Sequence, residues 1–298
     1  IQGHEQNLAE VLSEDTLEEL ATSLIEEFEG DRESRSDWAE AYVKGIDQLG
    51  MKIEERTTPW EGATGVFHPL MTEAVLRFQA QAMAEVFPST GPARTRVMGK
   101  QTTALMEQAQ RVEQEFNYQL TENMPEYRDE TEQLLFRLPL AGSAFRKVYY
   151  DPINERPAAL FVPAEDMVVA YGASELRTCE RYTHVMKRSA HEIAELQYSG
   201  LYRNIELGEP TGELSDIEQK YNELNGETVG MSSDDRYTLL EMHVMLDLEV
   251  DDDDTGRKKP YVVTLDKGTT SVLSIYRNWD EDDDKLRKHE HFVHYKYV

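Results

Sequence analysis

Apolar side chains recur at three- and four-residue spacing through the first half of the chain and at two-residue spacing through much of the second. Leu17, Leu20, Leu24 and Phe28 share one helical face, and Gly30 is expected to end that helix. Trp38, Tyr42, Ile46 and Leu49 mark a second helix that stops at Gly50. The loop from Thr57 to His68 holds Pro59, Gly62 and Gly65 and so extends neither neighbour. Pro69 suits a first helical position, where its missing N–H is not needed. The third helix it opens runs to Phe87 and halts at Pro88 and Gly91. Leu105, Ala109, Val112, Phe116 and Leu120 predict a fourth helix. Pro125 restarts the chain into a fifth, carrying Tyr127, Thr131, Leu134 and Leu138.

From Phe145 the period becomes two. Strands from Phe145 to Tyr150 and from Ala158 to Val162 flank the turn Asp151-Pro152-Ile153-Asn154, which predicts a hairpin. Another strand is expected from Glu180 to Lys187, then a short helix capped by Ser189 and reaching Tyr198. The stretch from Gly200 to Gly230 is polar, with one helix expected between Leu214 and Leu224. The last third predicts a meander: Tyr237 to Val250, Tyr261 to Leu265, Val272 to Arg277 and His289 to Val298. Helices first and strands afterwards predict an α+β fold, a helical region 1–141 followed by a mostly antiparallel, β-rich region 142–298.

Charge narrows the function classes more than composition does. The chain of 298 residues carries 58 acids against 31 Lys and Arg, a formal net charge of -27. Such an excess repels nucleic-acid phosphates, so tight non-specific DNA binding by this surface is not expected. A hydrophobic content of 39% is low for a compact enzyme and leaves room for protruding helices or subunit contacts. The single cysteine, Cys179, rules out an intramolecular disulfide framework and fits synthesis in a reducing cytoplasm. No uncharged apolar stretch is long enough to span a bilayer. Ile1 to Leu8 has neither an initiator Met nor a signal-peptide core, and His291 to Val298 reads as a strand without a stop. The chain is therefore expected to be a piece of a longer gene product.

Candidate chemistry thins out on inspection. Asp251, Asp253, Thr255 and Gly256 sit where the first, third, fifth and sixth positions of an EF-hand loop would fall, but Val262 stands at the twelfth, where a bidentate Glu is needed. Both acidic runs, 251–254 and 280–284, are expected to be solvated. His289, His291 and His294 form the one histidine cluster; on a strand the first two share a face and the third opposes them, which disfavours zinc. Gly99-Lys100 lacks the phosphate-loop pattern, with Arg94 at the first Gly position and Gln101 after the Lys. Glu195 replaces the second His of a metalloprotease helix at His191-Glu192. Tyr171-Gly172-Ala173-Ser174-Glu175 lacks the second Gly of a nucleophile elbow. Cys179 and His184 would fall on opposite faces of a strand, which makes the thiol structural. Trp38, Trp60 and Trp279 are expected to anchor cores or interfaces. Arg94/Arg96, Arg146/Lys147 and Lys187/Arg188 are expected to offset nearby acids. No catalytic, cofactor-binding or metal-binding residue is assigned, and no cofactor or enzymatic activity is expected.

Two stretches carry a family resemblance. The first, from Asp31 to Gly99, includes Ser36-Asp37-Trp38, Thr57-Thr58-Pro59-Trp60-Glu61-Gly62, His68-Pro69-Leu70-Met71-Thr72-Glu73-Ala74, Arg77-Phe78-Gln79-Ala80-Gln81-Ala82 and Val86-Phe87-Pro88. The second, from Phe145 to Ile193, includes Phe145-Arg146-Lys147-Val148-Tyr149-Tyr150-Asp151-Pro152, Phe161-Val162-Pro163-Ala164-Glu165-Asp166, Tyr171-Gly172-Ala173 and Arg181-Tyr182-Thr183-His184-Val185-Met186. Both resemble the N-terminal half of portal proteins from short-tailed bacteriophages. The resemblance implies a non-enzymatic head-to-tail connector, a homo-oligomeric, dodecameric ring at one capsid vertex through which double-stranded DNA is packaged and ejected. It also implies partners: major capsid protein and scaffold, the terminase motor, and head-completion or tail adaptor proteins. The location would be the virion, after assembly in the host cytoplasm, with no membrane contact. This chain would be much of the outer wing, with stem, clip and crown beyond Val298. A negative surface suits a conduit along which DNA slides. Two other classes compete: an acidic adaptor or DNA mimic that binds a basic partner, and a metal-dependent hydrolase built on the C-terminal histidines and acids.

Overall fold

The computed structural model describes residues 4–49, 60–63, 65, 68–151, 154–210, 214–224, 236–251 and 256–297. Gly50, Thr57, Thr58, Pro59, Pro152, Ile153, Asp253, Thr255 and Val298, which enter the expectations above, lie outside them. Among the described residues the helices are α1 (Glu14–Glu33), α2 (Ser36–Asp47), α3 (Leu70–Val86), α4 (Thr103–Tyr118), α5 (Glu126–Ala141), α6 (Ala190–Tyr198) and α7 (Asp216–Leu224). The strands are β1 (Ser143–Asp151), β2 (Arg156–Pro163), β3 (Met167–Val169), β4 (Arg181–Arg188), β5 (Tyr237–Leu246), β6 (Lys259–Asp266), β7 (Ser271–Arg277) and β8 (Phe292–Lys296). The fold is α+β with antiparallel sheets.

The chain divides into two compact units that cut across the sequence boundary at 141/142. The first comprises residues 1–44 and 165–290, and the second 45–164 and 291–298. In the first, five strands in the order β3-β4-β5-β6-β7 form a sheet. Leu17, Ala21, Leu24 and Phe28 of α1 bury against Leu240, Met242, Val244, Tyr261, Val263 and Leu265 on one face. The alternate residues Met186, Leu239 and Leu273 meet Ile193 of α6 on the other. That is the two-residue period of a sheet buried on both sides.

Several local choices follow from the sequence. Ser13 caps α1 by accepting the Thr16 N–H at 3.2 Å. Ser189 and Glu192 form a reciprocal capping box on α6, satisfying two N–H groups that the helix leaves open. Gly30 does not end α1, which continues to Glu33. The extra turn carries Asp31 to Arg181, whose Nε donates at 2.7 Å and Nη2 at 3.0 Å. A two-point ion pair outweighs the modest helix penalty of one glycine.

The predicted meander breaks at its last strand. β5, β6 and β7 pair in sequence, but β8 leaves them and pairs with β1, giving a three-stranded sheet β2-β1-β8 in the second unit. Local periodicity carries no information on which edge a strand will join. Here Tyr295 packs on the core of Leu134, Leu135, Leu138 and Ala144. His294 stacks on Phe145, with ring centroids 4.4 Å apart.

This second core encloses a cation. Arg146 is 4% exposed. Its guanidinium lies 4.5 Å from the Tyr127 ring centre and 5.9 Å from that of Tyr295. Nη2 donates to Thr131 Oγ1 at 2.6 Å. No described carboxylate pairs with it, so ring faces and one hydroxyl offset its desolvation. Arg146→Met keeps the stem and removes the buried charge. Chemical denaturation should therefore find it within about 1 kcal/mol of the parent, whereas Tyr127→Ala strands the cation and costs roughly 2 kcal/mol or more. A large loss in Arg146→Met would show that the charge itself holds this core together.

Candidate functional site

The residues singled out from sequence scatter rather than converge. His289 lies ahead of β8 in the first unit, its N–H donating to the Asn278 carbonyl at 3.0 Å and its Nε2 3.6 Å from Asp280. His291 and His294 belong to the second unit. His294 Nε2 sits 3.1 Å from Ser143 Oγ, and burial, with Lys296 nearby, lowers its pKa. Among the described residues no group of His, Cys, Asp and Glu is arranged to hold a metal ion. Cys179 is buried, and its thiol donates to the Arg181 carbonyl at 2.8 Å. Tyr171 is exposed and Gly172 takes a positive φ of 80°, which places this motif in an open turn. His191 and Glu195 form an exposed pair at 3.4 Å. Trp279 is a core residue, edge-on to Tyr261 at 5.2 Å. Trp38 stacks on Tyr42. Trp60 is 67% exposed and anchors no core.

The acidic runs are not uniformly solvated. Asp251 is built into the first unit: Arg277 donates to it through Nε at 2.9 Å and Nη2 at 2.8 Å, and Tyr261 Oη donates at 2.8 Å. Its side chain is 15% exposed and that of Arg277 11%. Burial opposes the Asp251 charge, but the bonds from Arg277 and Tyr261 outweigh it and hold the carboxyl below the usual range. A run of four aspartates reads as solvated until the arginine supplied by a distant strand is known. In the second run Glu281, Asp282 and Asp284 are exposed, as expected. Asp283 instead folds onto Arg287, whose side chain and backbone N–H push its pKa down to about 2.

Strand pairing assembles one cluster that the sequence hides. Opposite each other across β4 and β5 stand His184 and Glu241, and beside them Tyr182 and His243. Glu241 Oε1 is 3.3 Å from His243 Nε2 and 3.9 Å from His184 Nδ1. The His243 ring stacks on Tyr182 at 4.6 Å. Burial first, then the Glu241 charge, raises the Tyr182 phenol well above its ordinary value. The spacing Glu241-x-His243, passed over in the sequence, puts both side chains on one face of a strand, and the second histidine comes only with the register. A groove of about 340 Å³ elsewhere in this unit is lined by Ala190, Ile193, Gln197, Asn204, Ile205, Glu206, Leu207 and Tyr237. Its lining mixes apolar and polar groups and contains no Ser, Thr, Cys or His.

The second unit carries the most conspicuous surface. None of the side chains of α4 is buried. The extended segment 92–97 runs beside the helix and is bonded to it. Ala93 N–H donates to Asn117 Oδ1 at 2.9 Å, and Asn117 Nδ2 returns a bond to Ala93 O at 3.1 Å. Thr95 N–H donates to Glu113 Oε2 at 2.9 Å, while Thr95 Oγ1 donates to the Ala109 carbonyl, also at 2.9 Å. The Thr95 hydroxyl also reaches Glu113 Oε2 at 3.1 Å, and this contact and the backbone N–H bond lead the causes that lower the Glu113 pKa. Gly91, at φ 99°, makes the approach possible, since a Cβ there would lie 2.4 Å from Asn117 Oδ1. The polar flank of α4 is thus satisfied from within, and its apolar flank is left open: Leu105 is 43%, Val112 42% and Phe116 57% exposed.

The stretches that carry the family resemblance lie on α2, α3 and the segment into Pro88, then on β1, β2, the turn at Gly172 and β4. No protein-family model and no curated protein sequence matches this chain.

Proposed function

We propose that this chain is the wing-side part of a bacteriophage portal protein, a structural subunit of the ring through which phage DNA enters and leaves the capsid. The observation that carries the reading is the open apolar flank of α4, directly after the α3 stretch that bears the resemblance. Leu105, Val112 and Phe116 form a helical stripe facing solvent, and Leu70 and Leu76 of α3 are exposed as well, on a chain of net charge -27. Soluble monomers rarely expose contiguous apolar surface without a partner for it, and a ring subunit has such partners by construction. The net charge of -27 fits a conduit, because an acidic wall offers sliding DNA no deep electrostatic trap. In this role the subunit meets capsid protein, scaffold, terminase and tail adaptors in the virion, and it performs no chemistry of its own.

Negative-stain electron microscopy of the full-length gene product tests this. Rings with a central hole and about twelve-fold symmetry are the expected result, since head-to-tail contacts close into rings when the rotation permits. Uniform monomers in the presence of scaffold would reject the ring and favour an acidic adaptor.

A further inference from the structure

We propose that residues 88–125 form an arm that docks on the acidic surface of a second copy of this chain. The proposal rests on the ring reading and names the contact that reading lacks. Charge distribution identifies the partner. The arm carries four basic residues, Arg94, Arg96, Lys100 and Arg111, against four carboxylates, Glu107, Glu113, Glu115 and Glu122, so it is neutral in a chain of net charge -27. All four cations are exposed. Arg94 donates to Thr90 Oγ1 at 3.1 Å and its charge helps lower the Glu113 pKa, whereas Arg96, Lys100 and Arg111 make no ion pair with a described residue. Three cations left unpaired amid such an acid excess are complementary to the rest of the molecule.

A second copy supplies what they fit. Along the solvent face of α1, Asp15, Glu18, Glu19 and Glu26 are exposed and make no ion pair with a described residue. The arm also brings the apolar stripe of Leu105, Val112 and Phe116, and Met98, which is 83% exposed. A protein surface can bury that stripe, while a phosphate backbone cannot use it, which favours a second copy over DNA. An apolar centre with a basic rim is the arrangement of a specific protein contact, in which charge steers the approach and apolar burial holds it. Arm and acidic face are different surfaces, so the contact is head-to-tail, the kind that propagates around a ring.

The test uses the full-length gene product with the photo-crosslinker p-benzoylphenylalanine in place of Phe116, assembled from equal amounts of isotopically heavy and light copies. Irradiation should yield crosslinked peptides that join one heavy and one light copy. Arg96→Glu and Lys100→Glu together should lower that yield about tenfold, because two rim pairs become repulsive. The exposed positions leave the fold of the arm untouched, which circular dichroism checks. Rings that form without mixed-isotope crosslinks would overturn the arm contact while leaving the ring reading intact. Crosslinks to DNA in a packaged particle instead of to a second copy would overturn it too. Monomers by electron microscopy would remove the ring reading and the arm contact together.

Discussion

Replacing Asp251 with alanine should cost the first unit roughly 3 kcal/mol, because it removes the carboxylate that a largely buried arginine grips at two points. Arg277 keeps its Nη1 bond to the His4 carbonyl at 3.0 Å but loses both bonds to the carboxylate. The Tyr261 hydroxyl loses its acceptor in the same step. Since the Asp251 pKa is depressed in the folded state, the pair's contribution is complete above the unfolded carboxylate value of about 4. It is lost as pH falls through the lower folded value, and Arg277 stays charged throughout. Denaturation followed by fluorescence of Trp279, which packs against Tyr261, reads out this unit. A D251A variant within about 0.5 kcal/mol of the parent would make the pair no more than a surface contact. Such a variant should also lose the acid-side dependence of stability that the parent shows.

Asn7→Ala should destabilise the same unit by about 3 kcal/mol through the loss of bonds to buried backbone. The Asn7 side chain accepts the N–H of Ile275 and of Ala9, both at 3.0 Å, and donates to the Leu273 carbonyl at 3.2 Å. Two of these partners, Leu273 and Ile275, lie at the irregularity where β7 departs from the register of β6. Thr264 pairs with Ser274 while Leu265 pairs with Val272, so Leu273 is the extra residue. A bulge leaves backbone groups out of the ladder; here Asn7 takes the Ile275 N–H and shares the Leu273 carbonyl with the Arg203 N–H, which donates at 2.8 Å. Asn7→Asp keeps the acceptor but sets a carboxylate oxygen against the Leu273 carbonyl, so it should also destabilise. Hydrogen exchange localises the effect: the Ile275 amide should lose protection in Asn7→Ala relative to the rest of β7. Unchanged protection at Ile275 would show that the bulge closes without Asn7.

Both predictions concern residues that sequence reading placed elsewhere or passed over, and the reason is common to them. Asp251 lay in an acidic run, where charge density alone argues for solvent. Asn7 lay in a stretch without periodicity. Each is given its role by a strand far away in sequence, β7, and side-chain bonds of that kind leave no local trace. Arg146 is the converse case. It stood beside Lys147 as half of a surface basic pair, yet alternation along β1 sends the two to opposite faces, and Arg146 points among Tyr127, Thr131 and Tyr295. The candidate assembly surface was partly legible. Leu105, Val112 and Phe116 appeared as an apolar stripe, and structural core was the natural expectation for it. What the stripe could not show is that the flank facing segment 92–97 is polar, so that the apolar flank remains open.

The sequence by itself determined the elements and their class. Periodicity placed the helices, Ser13 and Ser189 supplied caps, and the change of period near Phe145 marked the onset of strands; all of these are local preferences expressed over a few residues. Net charge, likewise, is additive along the chain and needed no coordinates. Only the tertiary structure decided which edge β8 joins, that Leu273 is an extra residue in its strand, and that His184, Glu241 and His243 meet. It also decided that α1 continues past Gly30 to set Asp31 on Arg181. These depend on contacts between residues distant in the chain, where burial and pairing energies of a few kcal/mol override local preferences of about 1 kcal/mol or less.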